Sequence, residues 1–136
     1  MSGVLPDQSI QQMINSATIT AQPPILSEQI QPASLDLRLG NTAWRVRASF
    51  LSGDERKLTD RLKNFEMHEI DLRQGAVLEK GCVYVLPLME SLDLPENIQA
   101  VANAKSSTGR LDLLTRVITD NGTEFDRIRP GYKGPL

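Results

Sequence analysis

Lys105-Ser106-Ser107-Thr108-Gly109-Arg110 sets two cations around three consecutive hydroxyls and a glycine. An oxygen-rich anion is the natural ligand for such a set. Arg110 offers a bidentate fork and Lys105 a point charge, and both can neutralise phosphate. The hydroxyls of Ser106, Ser107 and Thr108 can donate to phosphate oxygens. Gly109 allows close backbone approach or a positive φ. The stretch is not a Walker A loop, because no glycine stands at the upstream spacing that motif requires. A polar surface loop leading into a helix is the plainer reading of the same composition.

Asp120-Asn121-Gly122-Thr123-Glu124-Phe125-Asp126 adds three carboxylates in a turn-rich run. A carboxylate beside a phosphate loop can serve as a general base or steady a Mg²⁺–nucleotide complex. A solvated acidic loop is the simpler account. Asp36 and Arg38 fall on the polar face of an expected strand and could pair across it, with a structural role as the default. His68 is the lone histidine and reads as a surface or core residue. Cys82 lies in an apolar run and reads as a buried, inert thiol. Zinc-dependent nucleobase deaminases need H-x-E and P-C-x-x-C. His68 is followed by Glu69-Ile70 and Cys82 has no second cysteine, so that chemistry is excluded.

The residues that must position this chemistry number 136, which fits one domain able to bury a sizeable core. Apolar residues are 40% and charged residues 24%, which excludes a disordered tail. A net charge of −2 excludes a generally basic nucleic-acid wrapper. Residues 1–99 carry a net −4 and residues 100–136 a net +2, so an anion is expected at the C-terminal end. One cysteine excludes a disulfide framework. No apolar run is long enough to span a bilayer, and the start MSGVLPDQSI lacks signal-peptide character. The expectation is a cytoplasmic, metal-free domain with neither nucleic-acid nor membrane partners.

Ile10, Met13, Ile14 and Ala17 form one stripe of an opening helix, with Ser9 and Gln12 as its capping box. Pro23-Pro24 marks a connector. Leu35, Leu37 and Leu39 alternate with polar residues and predict a strand ending at Gly40, with Trp44 to Val46 as its hairpin partner across Gly40-Asn41. Leu58, Leu62 and Phe65 predict a short helix. Further strands are expected at 69–72, 76–78, 82–86, 98–102 and 113–118. This spacing points to a mainly β sandwich or barrel. Gly131-Tyr132-Lys133-Gly134 reads as a turn, and the sequence reads as cut inside a hairpin.

Three segments together resemble the dCTP deaminase family of the trimeric dUTPase-like superfamily. Ile30-Gln31-Pro32-Ala33-Ser34-Leu35-Asp36-Leu37-Arg38-Leu39-Gly40 is similar to that family's first strand motif. Lys105 to Leu111 is similar to its [R/K]-S-S-x-x-R-L loop. Val117-Ile118-Thr119 with Ile128 to Gly134 is similar to its V-T-A…I-D-P-G-[WF]-x-G stretch. The details resemble the N-terminal half of double-length bacterial members. The resemblance implies a distorted β-barrel of jelly-roll type, assembled as a homotrimer or pseudo-trimer with active sites between subunits. It implies hydrolysis of dCTP to dUTP and ammonia, with Mg²⁺ carried by the triphosphate and no zinc. Lys105, Ser106, Ser107 and Arg110 would hold the triphosphate and order the attacking water. Ser106 and Arg110 would also polarise the reacting centre, while Thr108 and Gly109 would offer backbone contacts. Thr119, Asp120 and Arg129 complete the expected substrate-binding set.

Two departures from the family pattern stand out. Arg129 occupies the place of the family aspartate that holds the sugar 3′-hydroxyl. The family's general-base glutamate would fall after Leu136. Residues 1–136 are therefore expected to be an incomplete N-terminal part of a longer chain, inactive alone. The alternatives are a non-catalytic nucleotide-binding or assembly lobe and a dUTP diphosphatase of the same fold. The diphosphatase family has P-R-S-G where this chain has Ser107, and an aspartate where it has Arg129.

Overall fold

In the computed structural model, which describes residues 3–136, helix α1 (Asp7–Asn15) begins directly after Pro6. Ile10 is buried and Met13 packs on the core, as their spacing requires. The capping box at Ser9 is not formed. Ser9 already lies inside the first turn, its amide bonded to the Pro6 carbonyl, and the acid of that turn is Asp7. Ala17 lies beyond the helix at φ 59°, so it is not part of the stripe.

The chain continues as β1 (Ile19–Ala21), β2 (Ile30–Gln31), β3 (Ser34–Leu35), β4 (Thr42–Val46), α2 (Leu58–Phe65), β5 (Glu66–Asp71) and β6 (Val83–Val85). Then come β7 (Glu90–Asp93), β8 (Ala100–Val101), α3 (Ser106–Arg110), β9 (Arg127–Ile128) and β10 (Lys133–Pro135). The architecture is mainly β with short helices. The ladders are β1-β7-β10, β5-β4-β6, β2-β3 and β8-β9, all antiparallel. None of the described helices is long and apolar enough to cross a membrane.

Two apolar clusters hold these ladders. Leu94, Ile128, Tyr132 and Leu136 form one, with Met13, Leu88 and Leu92 against it. Val46, Phe50 and Leu62 form the other, closed by Trp44, Leu58 and Phe65. Phe50 and Phe65 stack at 4.9 Å between centroids, and the Arg61 guanidinium lies 5.3 Å from the Phe65 ring. The amphipathic spacing of Leu58, Leu62 and Phe65 thus forms the expected helix on the expected face.

Several expected strands take other forms. Leu35 pairs with Ile30, but residues 36–38 join no ladder. Trp44 to Val46 pairs with β5 and β6 rather than with residues 35–39. Gly40 is not a hairpin turn. Its amide donates to the Pro87 carbonyl at 2.7 Å, and a Cβ there would stand 2.9 Å from that oxygen. Glycine is needed at this position for close approach. Residues 76–78 and 113–118 lie outside all ladders, with Val77 and Leu114 among the most exposed residues. Cys82 is partly exposed and precedes β6, with its Sγ 3.7 Å from Glu79 Oε2, so it is not a buried core thiol.

Candidate functional site

The Lys105–Arg110 stretch folds as the single turn of helix α3 rather than as an open loop. Lys105 stands at its N-cap position, and the Thr108 hydroxyl and amide both bond the Lys105 carbonyl, at 2.6 and 3.0 Å. The Gly109 amide reaches the same carbonyl at 3.4 Å. The Thr108 and Gly109 amides are therefore both directed at the Lys105 carbonyl within the turn. Gly109 has ordinary φ and nothing within 4 Å of a built Cβ. We expect Gly109→Ala to leave the melting temperature unchanged or raised, since alanine is favoured in a helix by up to about 1 kcal/mol. A fall in ligand affinity without a fall in melting temperature would show that the ligand approaches this face.

Ser106, Ser107 and Arg110 are exposed. Among the described residues their side chains make no hydrogen bond or ion pair. Lys105 is different. Its Nζ donates to Asp36 Oδ2 at 2.7 Å. Asp36 thus pairs with Lys105 and not with Arg38.

Arg38 turns inward instead. Its Nε donates to Glu90 Oε1 and its amide to Glu90 Oε2, both at 2.9 Å. Its remaining guanidinium nitrogens reach the carbonyls of Pro23 and Pro24 at 2.8 and 3.2 Å. Glu90 is completely buried and also accepts from Gln29 Nε2 at 2.9 Å. Gln29 Nε2 bonds the Asp36 carbonyl as well, and the Asp36 amide donates to the Gln29 carbonyl, each at 2.8 Å. A continuous polar network therefore runs from Glu90 through Gln29 to Asp36 and on to Lys105, with Arg38 joined to it at Glu90. Glu90 and Gln29 escaped the sequence reading. The signal for Glu90 was a lone acid within Leu86-Pro87-Leu88-Met89-Glu90-Ser91-Leu92.

Thr119 and Asp120 sit in a second cluster. Buried Ser52 donates to the Thr119 carbonyl at 2.6 Å, and Leu58 N donates to Asp120 Oδ1 at 2.5 Å. The Tyr132 hydroxyl accepts from Asp120 N at 3.2 Å and donates to the Pro135 carbonyl at 2.5 Å. Gly131 at φ 69° and Gly134 at φ 152° make this return possible, since both conformations favour glycine. Asp120 thus stitches the start of α2 to the turn before β10. Glu124 pairs with Arg127, and Asp126 with Arg116 and the Val117 amide. Each of the three acids of this run is engaged within the chain.

Arg129 Nη2 reaches Thr123 Oγ1 at 2.8 Å and Asp54 at 3.3 Å. It lines an open pocket of about 380 Å³ together with Gly122, Thr123, Glu124 and Arg127. No hydrogen bond or ion pair among the described residues joins this cluster to residues 105–110. Nor do three or more metal-ligating side chains gather anywhere among the described residues.

Three groups have shifted proton affinities among the described residues: Asp71, its partner Arg73, which the carboxylate pushes up, and Tyr132. The neighbouring Arg73 holds the Asp71 carboxyl down at about 2, but both are exposed and close a local turn, so this marks no site. Burial pushes the Tyr132 hydroxyl up, above the ordinary tyrosine value near 10. Folding therefore favours its protonated form. That contribution is complete below pH 10 and is lost as pH rises through the raised value. In an absorbance titration, Tyr132→Phe should remove a late-ionising phenol, and the stability difference between wild type and variant should shrink above pH 10.

The comparisons with known proteins bear on this geometry. The family model described as the 2′-deoxycytidine 5′-triphosphate deaminase (DCD) N-terminal domain matches residues 1–136. The dCTP deaminase of Haemophilus ducreyi is 30% identical over 137 residues, covering 96% of this chain and 68% of that protein. The protein named dCTP deaminase, dUMP-forming, of Nanoarchaeum equitans is 31% identical over 150 residues, covering 98% of this chain and 70% of its own length. A crystal structure of 2′-deoxycytidine 5′-triphosphate deaminase from Agrobacterium tumefaciens superposes with a TM-score of 0.95 at 55% identity. It covers 98% of this chain, which spans only 39% of that protein. The fold, the segment that carries Asp36 and Arg38, and the cation–hydroxyl turn are thus accompanied by a match along the whole sequence, and the chain belongs to the dCTP deaminase N-terminal domain family.

Proposed function

We propose that these 136 residues provide the nucleotide-holding part of hydrolytic dCTP deamination, in which dCTP and water give dUTP and ammonia. The observation that carries the reading is the α3 turn. In a chain of this family, it leaves two serine hydroxyls and a guanidinium exposed and unengaged beside an ammonium. Lys105, Ser106, Ser107 and Arg110 would take the triphosphate, whose charge needs cations and donors together. Ser106 and Arg110 would also stabilise charge developing at the carbon under attack. Thr119, Asp120 and Arg129 would border the nucleoside. Mg²⁺ enters as part of the substrate, bound to the triphosphate, and no zinc takes part.

The turn stands open on the single chain, and Leu111, Leu113 and Leu114 after it are exposed. Both features support a site completed by neighbouring copies in a homotrimer or pseudo-trimer. Light scattering should then give about three times 15.1 kDa. A 15.1 kDa species at all concentrations would remove this part of the proposal.

Among the described residues, the carboxyl group that bonds this stretch is that of Asp36, and it is engaged by Lys105. These 136 residues incubated with Mg²⁺–dCTP are therefore expected to form no dUTP. A chain carrying further residues after Leu136 is expected to form dUTP and ammonia. dUTP from residues 1–136 alone would place the base among Asp120, Glu124 and Asp126 or at Asp36. dUMP with pyrophosphate from supplied dUTP would support the diphosphatase reading. A longer chain that leaves dCTP intact would leave the nucleotide-binding lobe as the surviving reading.

A further inference from the structure

We infer that Asp36 is a positioning residue for Lys105, holding its ammonium at the edge of the α3 turn where phosphate oxygens would arrive. The inference rests on the proposed nucleotide-holding role of that turn.

Lys105 has a long flexible stem and is 64% exposed, so nothing in its own helix fixes where its charge lies. Asp36 supplies that constraint from 69 residues away in sequence, at 2.7 Å. Asp36 is itself held. Its peptide is bonded on both sides by Gln29, through its amide and its carbonyl, each at 2.8 Å. Gln31 Nε2 reaches its Oδ2 at 3.3 Å. Gln29 in turn is 6% exposed and anchored to the fully buried Glu90. An exposed lysine–carboxylate pair contributes little to stability, so stability is a weak reason for so supported an acceptor. Direction is the better one. An ammonium has three donors, and one bond to Asp36 leaves two for phosphate.

The charge argument alone would predict the opposite sign, because a carboxylate repels a polyanion. The two accounts therefore separate cleanly in a binding experiment. Mg²⁺–dCTP is titrated into wild type, Asp36→Asn, Lys105→Ala and the double variant. Removal of Asp36 should weaken binding about three- to five-fold, the scale of one exposed ion pair. In the Lys105→Ala background the same substitution should change nothing, because there is no ammonium left to place. A merely structural role would weaken binding equally in both backgrounds and would overturn the inference. So would tighter or unchanged binding by Asp36→Asn. Wild-type binding that does not respond to Lys105→Ala would instead overturn the reading of the site, and this inference with it. Asp36→Ser provides the same cycle if the Asn variant melts early, since Gln29 bonds only the peptide of residue 36.

Discussion

Glu90→Leu should destabilise the fold by about 3–5 kcal/mol, the scale of breaking a buried ion pair from one side. Glu90 is wholly inaccessible and accepts three hydrogen bonds, from Gln29 Nε2, Arg38 N and Arg38 Nε. Its removal strands Arg38 N, Arg38 Nε, with that side chain only 20% exposed, and one of the two bonds made by Gln29 Nε2. Leucine fills much of the volume but satisfies none of the three donors. Against a net stability of about 5–15 kcal/mol, the loss is large. Denaturant unfolding followed by circular dichroism should show it directly. Glu90→Gln should cost less, because an amide oxygen can still accept from Arg38. A Glu90→Leu variant within about 1 kcal/mol of wild type would mean the network contributes little to the fold. The position of Asp36 would then need another cause.

Arg110→Ala should weaken Mg²⁺–dCTP binding by about 10- to 100-fold. Hydrogen bonds to charged groups contribute about 1.5–3 kcal/mol each way they are measured, and every 1.4 kcal/mol is tenfold. Arg110 is exposed and has no partner among the described residues, so the melting temperature should stay within a degree or two. That combination, lost affinity at unchanged stability, separates a ligand contact from a folding contact. Arg110→Lys should recover only part of the affinity, because an ammonium cannot present the planar fork. Equal binding by wild type and Arg110→Ala would remove Arg110 from the site.

The sequence was legible where order is local. Helix α2 follows from Leu58, Leu62 and Phe65, whose spacing both defines the helix and selects its buried face. Helix α1 follows in the same way, although its start lies at Asp7 because Pro6 already supplies the fixed φ of an entry. Where partners are distant, local pattern misled. Leu35, Leu37 and Leu39 alternate as a strand does, yet the backbone there bonds across to residues 87–90. Arg38 N goes to the Glu90 side chain, Gly40 N to Pro87, and Leu39 bridges Leu88. No local pattern distinguishes such pairing from a hairpin, and Gly40-Asn41 carries a strong hairpin signal of its own.

The candidate site divides along the same line. The cation–hydroxyl content of Lys105 to Arg110 was visible as chemistry, and the one-turn helix brings those residues onto one short element. The partner of Lys105 is not visible in the sequence, because Arg38, two residues on, is the local partner that pattern offers Asp36. Only the buried Glu90, hidden in an apolar run, shows why Arg38 turns away. The apolar pattern of Leu113 to Ile118 predicts a short strand, yet it joins no ladder, and Leu111 just before it, Leu113 and Leu114 lie outside this chain's core. Their exposures are 73%, 46% and 94%. Sequence pattern reports that an apolar face exists and not which surface covers it.

The α3 turn is proposed to hold the triphosphate of dCTP. Isothermal titration of Mg²⁺–dCTP into wild type and Arg110→Ala, with inorganic tripolyphosphate as competitor, measures this. Saturable binding to wild type, displaced by tripolyphosphate and lost in the variant, is the predicted result. No binding to wild type, or binding that neither tripolyphosphate nor Arg110→Ala disturbs, would contradict it.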